Sequence, residues 1–110
     1  MGSDLRLLLT TCASREVANQ LAVSLVEQRH AACVNVLPGV SSIYRWMGKI
    51  ESENEVLLLI KTATTELAAI ESTIKIHSGY ELPELIAIEI SDGASDYLAW
   101  VAASVGKEVN

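Results

Sequence analysis

The chain has 110 residues, half of them hydrophobic, and a formal net charge of −6. That length fits one domain with a core that needs no disulfide or metal staple. The eight Lys and Arg are scattered, without the basic patch that nucleic-acid binding demands, so nucleic acid is excluded as a partner.

The longest strongly apolar run, Val56–Ile60, is far too short to cross a bilayer, and no membrane role is expected. The N-terminus shows no charged-then-apolar leader pattern. Cys12 and Cys33 form neither a C-x-x-C pair nor a disulfide framework. Two reduced thiols in a cytoplasmic protein are therefore expected.

Leu5 to Thr11 reads as a first strand. Ser14 caps a helix whose Glu16 favours its positive end, with Val17, Ala18, Leu21, Ala22, Leu25 and Val26 at helical spacing. Ala31 to Leu37 is β-like and ends at Pro38-Gly39, a bulge or bend. Ser42 to Met47 continues to Gly48, and a returning strand runs from Lys49 to Thr62. Within it, Val56–Ile60 is apolar on both faces, as in a central strand covered on both sides.

A second helix starts near Thr65 with Leu67, Ile70, Ile74 and His77 on one stripe, and Gly79 ends it in a left-handed cap. Leu85 to Ile90 is a strand. Ser95 caps a last helix carrying Tyr97, Leu98, Val101 and Val105. The order β-α-β-β-α-β plus a terminal helix is the α+β, ferredoxin-like split βαβ arrangement, with two helices over one face of an antiparallel sheet.

The middle hairpin is too long for its own domain. A strand from Lys49 to Thr62 spans on the order of 45 Å, against a radius of gyration of about 13 Å for a domain of this size. Its outer half carries Ile43, Tyr44, Trp46, Met47 and Ile50. Exposed apolar surface and an open strand edge both call for a cover. Head-to-tail pairing with a neighbour supplies it and closes a ring; the alternative is a tip that bends at Pro38-Gly39 and folds back over its own sheet in a monomer.

Two segments carry a family resemblance. Arg29-His30-Ala31-Ala32-Cys33-Val34-Asn35 resembles the R-L-A-A-C-V-N signature of the CutA family of divalent-cation tolerance proteins. Ser42-Ile43-Tyr44-Arg45-Trp46-Met47-Gly48-Lys49-Ile50-Glu51 is similar to that family's S-I-Y-x-W-x-G-K-[IV]-E segment. Glu55–Thr62 and Tyr97-Leu98-Ala99-Trp100 match further blocks, so the likeness runs from about Leu7 to Val101. It implies a ferredoxin-like homotrimer in the cytoplasm, related in architecture to the PII signal proteins. It also implies tolerance to copper and other divalent cations. His30 stands where the family has leucine. His77-Ser78-Gly79-Tyr80-Glu81-Leu82-Pro83-Glu84 is one glycine longer than the family's run, which shifts His77 relative to Tyr80 and Glu84.

Cys33 and His77 are the leading metal-ligand candidates, because thiolate and imidazole suit copper and zinc. Each also has a plain structural reading, as a small apolar strand residue and as a histidine ending a helix stripe. Cys12 and His30 rank below them, and His30 reads as a solvated surface residue. Glu81 and Glu84 add carboxylates or form a solvated loop around Pro83. No H-x-x-x-H or H-E-x-x-H occurs, so a tight metal site has to be assembled between subunits.

Tyr44, Trp46, Lys61 and Tyr80 are candidates for an inter-subunit pocket that holds a small anionic metabolite, or else for interface packing and a surface charge. Glu51, Glu53 and Glu55 alternate along one strand as an acidic face. With no G-x-S-x-G, no phosphate loop and no placeable Ser/His/Asp set, no catalytic residue is assigned and a non-enzyme is expected.

Overall fold

A computed structural model of the chain describes residues 3–107. Strand β1 spans Leu5–Cys12 and helix α1 Arg15–Glu27, followed by strands β2 (Cys33–Trp46) and β3 (Lys49–Ala63). A 3₁₀ turn over Thr64–Glu66 leads into helix α2 (Leu67–His77), then strand β4 (Ile86–Glu89) and helix α3 (Ser95–Ser104). The sheet is antiparallel with order β2-β3-β1-β4, and the fold is ferredoxin-like, as the element order predicts.

Local chemistry accounts for most boundaries. The extended Ser14 receives the Val17 N–H on its hydroxyl at 3.2 Å and starts α1. β2 and β3 are joined by a two-residue turn, Met47-Gly48, with φ of 50° and 80°. Two left-handed residues match the twist of the flanking strands, and Met47 therefore belongs to the turn rather than to the strand. The register of β2 on β3 shifts between Leu37 and Val40, at Pro38-Gly39. There Gly39 takes a φ of 79°, and Pro38, lacking an N–H, sits on an edge strand where none is needed.

Two boundaries differ from the sequence reading. Ser95 is the first residue of α3 and not its cap; Ala94 precedes the helix without a side-chain bond. Instead Asp96 accepts the Tyr97 N–H at 2.8 Å in the first turn. The second helix opens with a tight 3₁₀ turn over Thr64–Glu66 that has no side-chain cap, and Thr64 donates its N–H to the Asp4 carbonyl.

Cross-strand register sorts the side chains. Leu8 faces Ile60, Thr10 faces Leu58 and Cys12 faces Val56. On that face they pack with Leu21 and Leu25 of α1 and Ile70 and Ile74 of α2 into the main core. On the opposite face, Val101 of α3 packs against Leu5, Ala32 and Ala63 and covers only one end. The rest presents Leu37, Ile86 and Ile88 to solvent, while Leu57 and Leu59 are half-buried. Within the chain, the central strand is thus sealed on one side.

β1 pairs with β3 only from Val56 to Ala63. Residues 49–55 of β3 pair with β2 alone, so a two-stranded ribbon projects from the sheet. The molecule accordingly measures 49 × 27 × 23 Å. At the ribbon tip Ile43 is 72% exposed, Met47 82% and Ile50 64%.

Leu58 is fully buried at the centre of the main core. Leu58→Ala is expected to cost about 2–5 kcal/mol, read from the midpoint shift in denaturant titration. Val23→Ala, on the open side of α1, is the control and should stay within about 0.5 kcal/mol.

Candidate functional site

A groove of about 810 Å³ lies where the ribbon leaves the sheet. One wall is the ribbon, and the other is the loop from Ser78 to Leu85. The loop is steered there by its own backbone. α2 stops at His77, Gly79 turns left-handed with φ of 75°, and the buried Ser78 accepts the Tyr80 N–H at 3.2 Å. Tyr80 then reaches across and donates its hydroxyl to Glu55 at 2.7 Å. Thr10 of β1 donates to the Glu84 carbonyl at 2.6 Å and pins the far end of the loop.

Five carboxylates share the groove: Glu51, Glu53 and Glu55 from β3, and Glu81 and Glu84 from the loop. Tyr44, Trp46 and Tyr80 supply aromatic surface, and Arg45 is the one cation on the lining. Tyr44 donates to Glu53 at 2.9 Å.

Electrostatics separates the carboxylates into types. Partial burial disfavours the ionised form of Glu55, but hydrogen bonds from Ser42, Tyr80 and Thr11 outweigh it and hold this carboxyl below the usual range. Glu84 shifts the other way, through desolvation first and then the Glu55 charge. Burial and the bond to Glu55 push the Tyr80 phenol well up, and the bond to Glu53 raises Tyr44. Both phenols therefore remain neutral donors, and the groove presents negative charge, oxygen ligands and π-faces. That combination attracts cations.

The structure divides the residues singled out in the sequence. Tyr44, Trp46, Tyr80, Glu81 and Glu84 line this one groove. Lys61 does not; it lies on the open sheet face, with Nζ 3.9 Å from the Cys33 sulfur and 5.8 Å from the Tyr97 ring centre. His77 is exposed at the end of α2, and Cys12 is sealed in the core. His30 is not a solvated residue. It is half-buried, and its Nδ1 bonds the Glu66 carboxylate at 2.9 Å. Sequence reading missed Ser42 and Thr11 as supports of Glu55, since neither belongs to a recognisable spacing.

The groove carboxylates are neighbours without converging on a point. Among the described residues, no three His, Cys, Asp or Glu side chains gather as a metal centre. Cys33 lies outside the groove with an ammonium beside its sulfur, and the acidic donors within the groove are oxygen. A single chain therefore does not present a preformed soft-metal site.

The family model for the CutA1 divalent ion tolerance protein matches residues 6–104. This chain belongs to the CutA1 family. The divalent-cation tolerance protein CutA of Thermus thermophilus is 43% identical over 98 residues, covering 89% of this chain and 95% of that protein. The protein of the same name from Pectobacterium atrosepticum is 43% identical over 102 residues, with 93% of each covered. The solved structure of the Thermus thermophilus protein superposes with a TM-score of 0.91 at 41% identity, over 93% of this chain and 99% of that one. In this CutA1-family chain, the groove is built from the Ser42–Glu51 segment that carries the family's likeness, from Glu53 and Glu55 just beyond it, and from the loop that departs from the family by one glycine.

The Glu55 shift has a definite sign. Its folded-state carboxyl titrates below the unfolded one, so its stabilisation is present above the unfolded pKa and is lost as pH falls through the folded pKa. Tyr80→Phe removes one donor and is expected to cost about 1–2 kcal/mol at neutral pH. The difference from the parent chain should shrink as Glu55 protonates in both states. Glu84 has the opposite sign: its contribution is present below the unfolded pKa and lost as pH rises through the folded one. Glu84→Gln should therefore be slightly more stable than the parent at neutral pH. Urea titrations at neutral and acidic pH check both.

Proposed function

We propose that this chain acts in divalent-cation tolerance as a cytoplasmic, non-catalytic homotrimer that binds divalent metal ions, copper among them. The observation that carries the reading is the carboxylate-rich, aromatic groove at the root of the ribbon. Its charge concentrates cations from solution. Its open geometry within one chain favours loose, exchangeable binding that a neighbouring subunit completes.

The trimer is supported by surface chemistry. The ribbon exposes Ile43, Met47 and Ile50, and the sheet face exposes Leu37, Ile86 and Ile88. Unpaired edges run along β2 and along residues 49–55 of β3. A second copy supplies both the apolar cover and the edge partner, and a cyclic arrangement of such contacts closes. The relatives at 43% identity are named as divalent-cation tolerance proteins, which agrees with this reading.

A second reading is a PII-like trimer that senses a small molecule and binds metal incidentally. The groove volume of about 810 Å³ favours it, since that is the size of a metabolite site. Its carboxylates make a cationic molecule the matching ligand, because Lys61 lies outside the lining.

Native mass spectrometry with and without copper(II) separates the readings. A threefold mass with discrete copper additions is expected. Combined Glu81→Gln and Glu84→Gln should weaken uptake several-fold without changing the assembly. Ile43→Asp with Ile50→Asp should dissociate the trimer. A threefold mass without specific uptake moves the reading to the small-molecule sensor, and a monomeric parent chain overturns the assembly.

A further inference from the structure

The groove at the ribbon root is shaped for a line of charges and not for a point. Glu51, Glu53 and Glu55 alternate along β3, so their side chains leave one side of the strand at intervals of roughly 7 Å and span roughly 14 Å. The ligands of one divalent ion lie within about 2.6 Å of a common centre. Among the described residues, no three His, Cys, Asp or Glu side chains gather around such a centre. A volume of about 810 Å³ is likewise that of an organic ligand rather than of an ion.

The rest of the lining is selective in its own right. Cross-strand register puts Tyr44 opposite Glu51 and Ser42 opposite Glu53, so β2 sets an aromatic wall beside the carboxylate row. Trp46 continues that wall, and Tyr80 stands on the loop side. The two tyrosine hydroxyls are spent as donors, on Glu53 at 2.9 Å and on Glu55 at 2.7 Å. Thr11 lines the groove while only 7% exposed, and its hydroxyl also supports Glu55. What the lining offers a ligand is therefore acceptor oxygen and ring face. An ammonium group has donors and no acceptor, and its charge is attracted to both. Desolvation and the Glu55 charge raise the Glu84 pKa, a strain that a positive charge in the groove relieves.

We propose, resting on the reading of this groove as a cation site, that its ligand is a linear aliphatic polyamine, lying along β3 with its ammonium groups on the carboxylate row and its methylenes on the aromatic wall. Each bond of an extended chain advances about 1.2 Å, so a four-carbon spacer sets successive nitrogens roughly 6 Å apart, close to the carboxylate interval. One bound molecule then offsets several carboxylates, where a compact monovalent cation leaves most of them repelling one another. The carboxylates outnumber Arg45, the cation of the lining, five to one, and Glu81 and Glu84 extend the match to the loop side. Of the apolar residues assigned to contact with a second copy, Ile43 alone is on the lining. That contact borders the groove and does not run through it.

The test titrates the assembled parent protein with spermidine, putrescine and butylamine at low ionic strength, by isothermal titration calorimetry. Saturable binding at one site per chain is expected, with spermidine at least tenfold tighter than butylamine and putrescine between them. Glu53→Gln with Glu81→Gln, one change on each wall, should weaken spermidine about tenfold, and Trp46→Ala several-fold. Glu16→Gln with Glu27→Gln, exposed on α1, makes the same change in net charge and should leave the affinity unaltered. All variants are first shown to keep the parent's circular dichroism and native mass. Equal affinity for spermidine and butylamine, an equal loss in the α1 control, or no saturable spermidine binding overturns the proposal. A separate copper(II) titration of the parent keeps the two readings apart. Copper bound without spermidine overturns the polyamine and leaves the cation groove standing, whereas neither bound overturns both.

Discussion

The length of the β2–β3 ladder is the constraint on which the rest depends. β3 has 15 residues and β1 has eight. The surplus cannot pair inside the sheet, so it pairs with β2 alone and leaves the body of the molecule. One strand thereby serves two environments. Val56, Leu58 and Ile60 build the core; Glu51, Glu53 and Glu55 line a groove in water. The change falls between Glu55 and Val56, where pairing with β1 begins. A one-residue slip would turn the buried row toward the open face, so burial of the core fixes the register of the groove and of the Cys33–Lys61 pair alike.

The groove itself balances opposing terms. Carboxylates crowded on one surface repel, and partial burial adds to the cost of ionising them. Hydrogen bonds from neutral hydroxyls offset this at Glu55, where Tyr80, Ser42 and Thr11 favour the charged form. Glu84 has no comparable support and bears the cost as a raised pKa. Tyr80 therefore does two things with one bond: it keeps Glu55 ionised and holds the loop against the ribbon. A cation entering the groove relieves the repulsion that the fold tolerates, so ligand binding and local stability are linked in sign.

Much of the architecture was legible in the sequence because it follows from periodicity and turn chemistry. Ser14, Pro38-Gly39, Gly48 and Gly79 each mark a boundary by what their backbone can or cannot do. The α3 cap was misread at Ser95, since a hydroxyl near a helix start does not show which residue is already helical. The site was legible in part. The sequence placed Glu51, Glu53 and Glu55 on one face by their spacing and grouped Tyr44, Trp46, Lys61 and Tyr80 as pocket candidates. It could not show that Lys61 parts company with Tyr44, Trp46 and Tyr80. That depends on position along β3, since Lys61 shares the side of Glu55 but sits at the strand's other end beside Tyr97 of α3, and Tyr80 reaches the groove through a left-handed turn at Gly79. His30 was misplaced for a related reason: its partner Glu66 is distant in sequence and is brought near by the 3₁₀ turn.

The open sheet face gives this division a consequence. The carboxylates crowd one end of β3, at the ribbon root, while the ammonium of Lys61 and the thiol of Cys33 lie at its other end. Keeping the ammonium beside the sulfur opposes capture of a second positive charge there, because like charges at such separation disfavour each other most where water is scarce. Soft-metal chemistry at Cys33 and oxygen-ligand chemistry in the groove are therefore not two halves of one centre within a chain. Any assembly that joins them has to bring the groove of one copy to the sheet face of another. The ribbon, which carries the groove away from its own sheet, has the reach to do so.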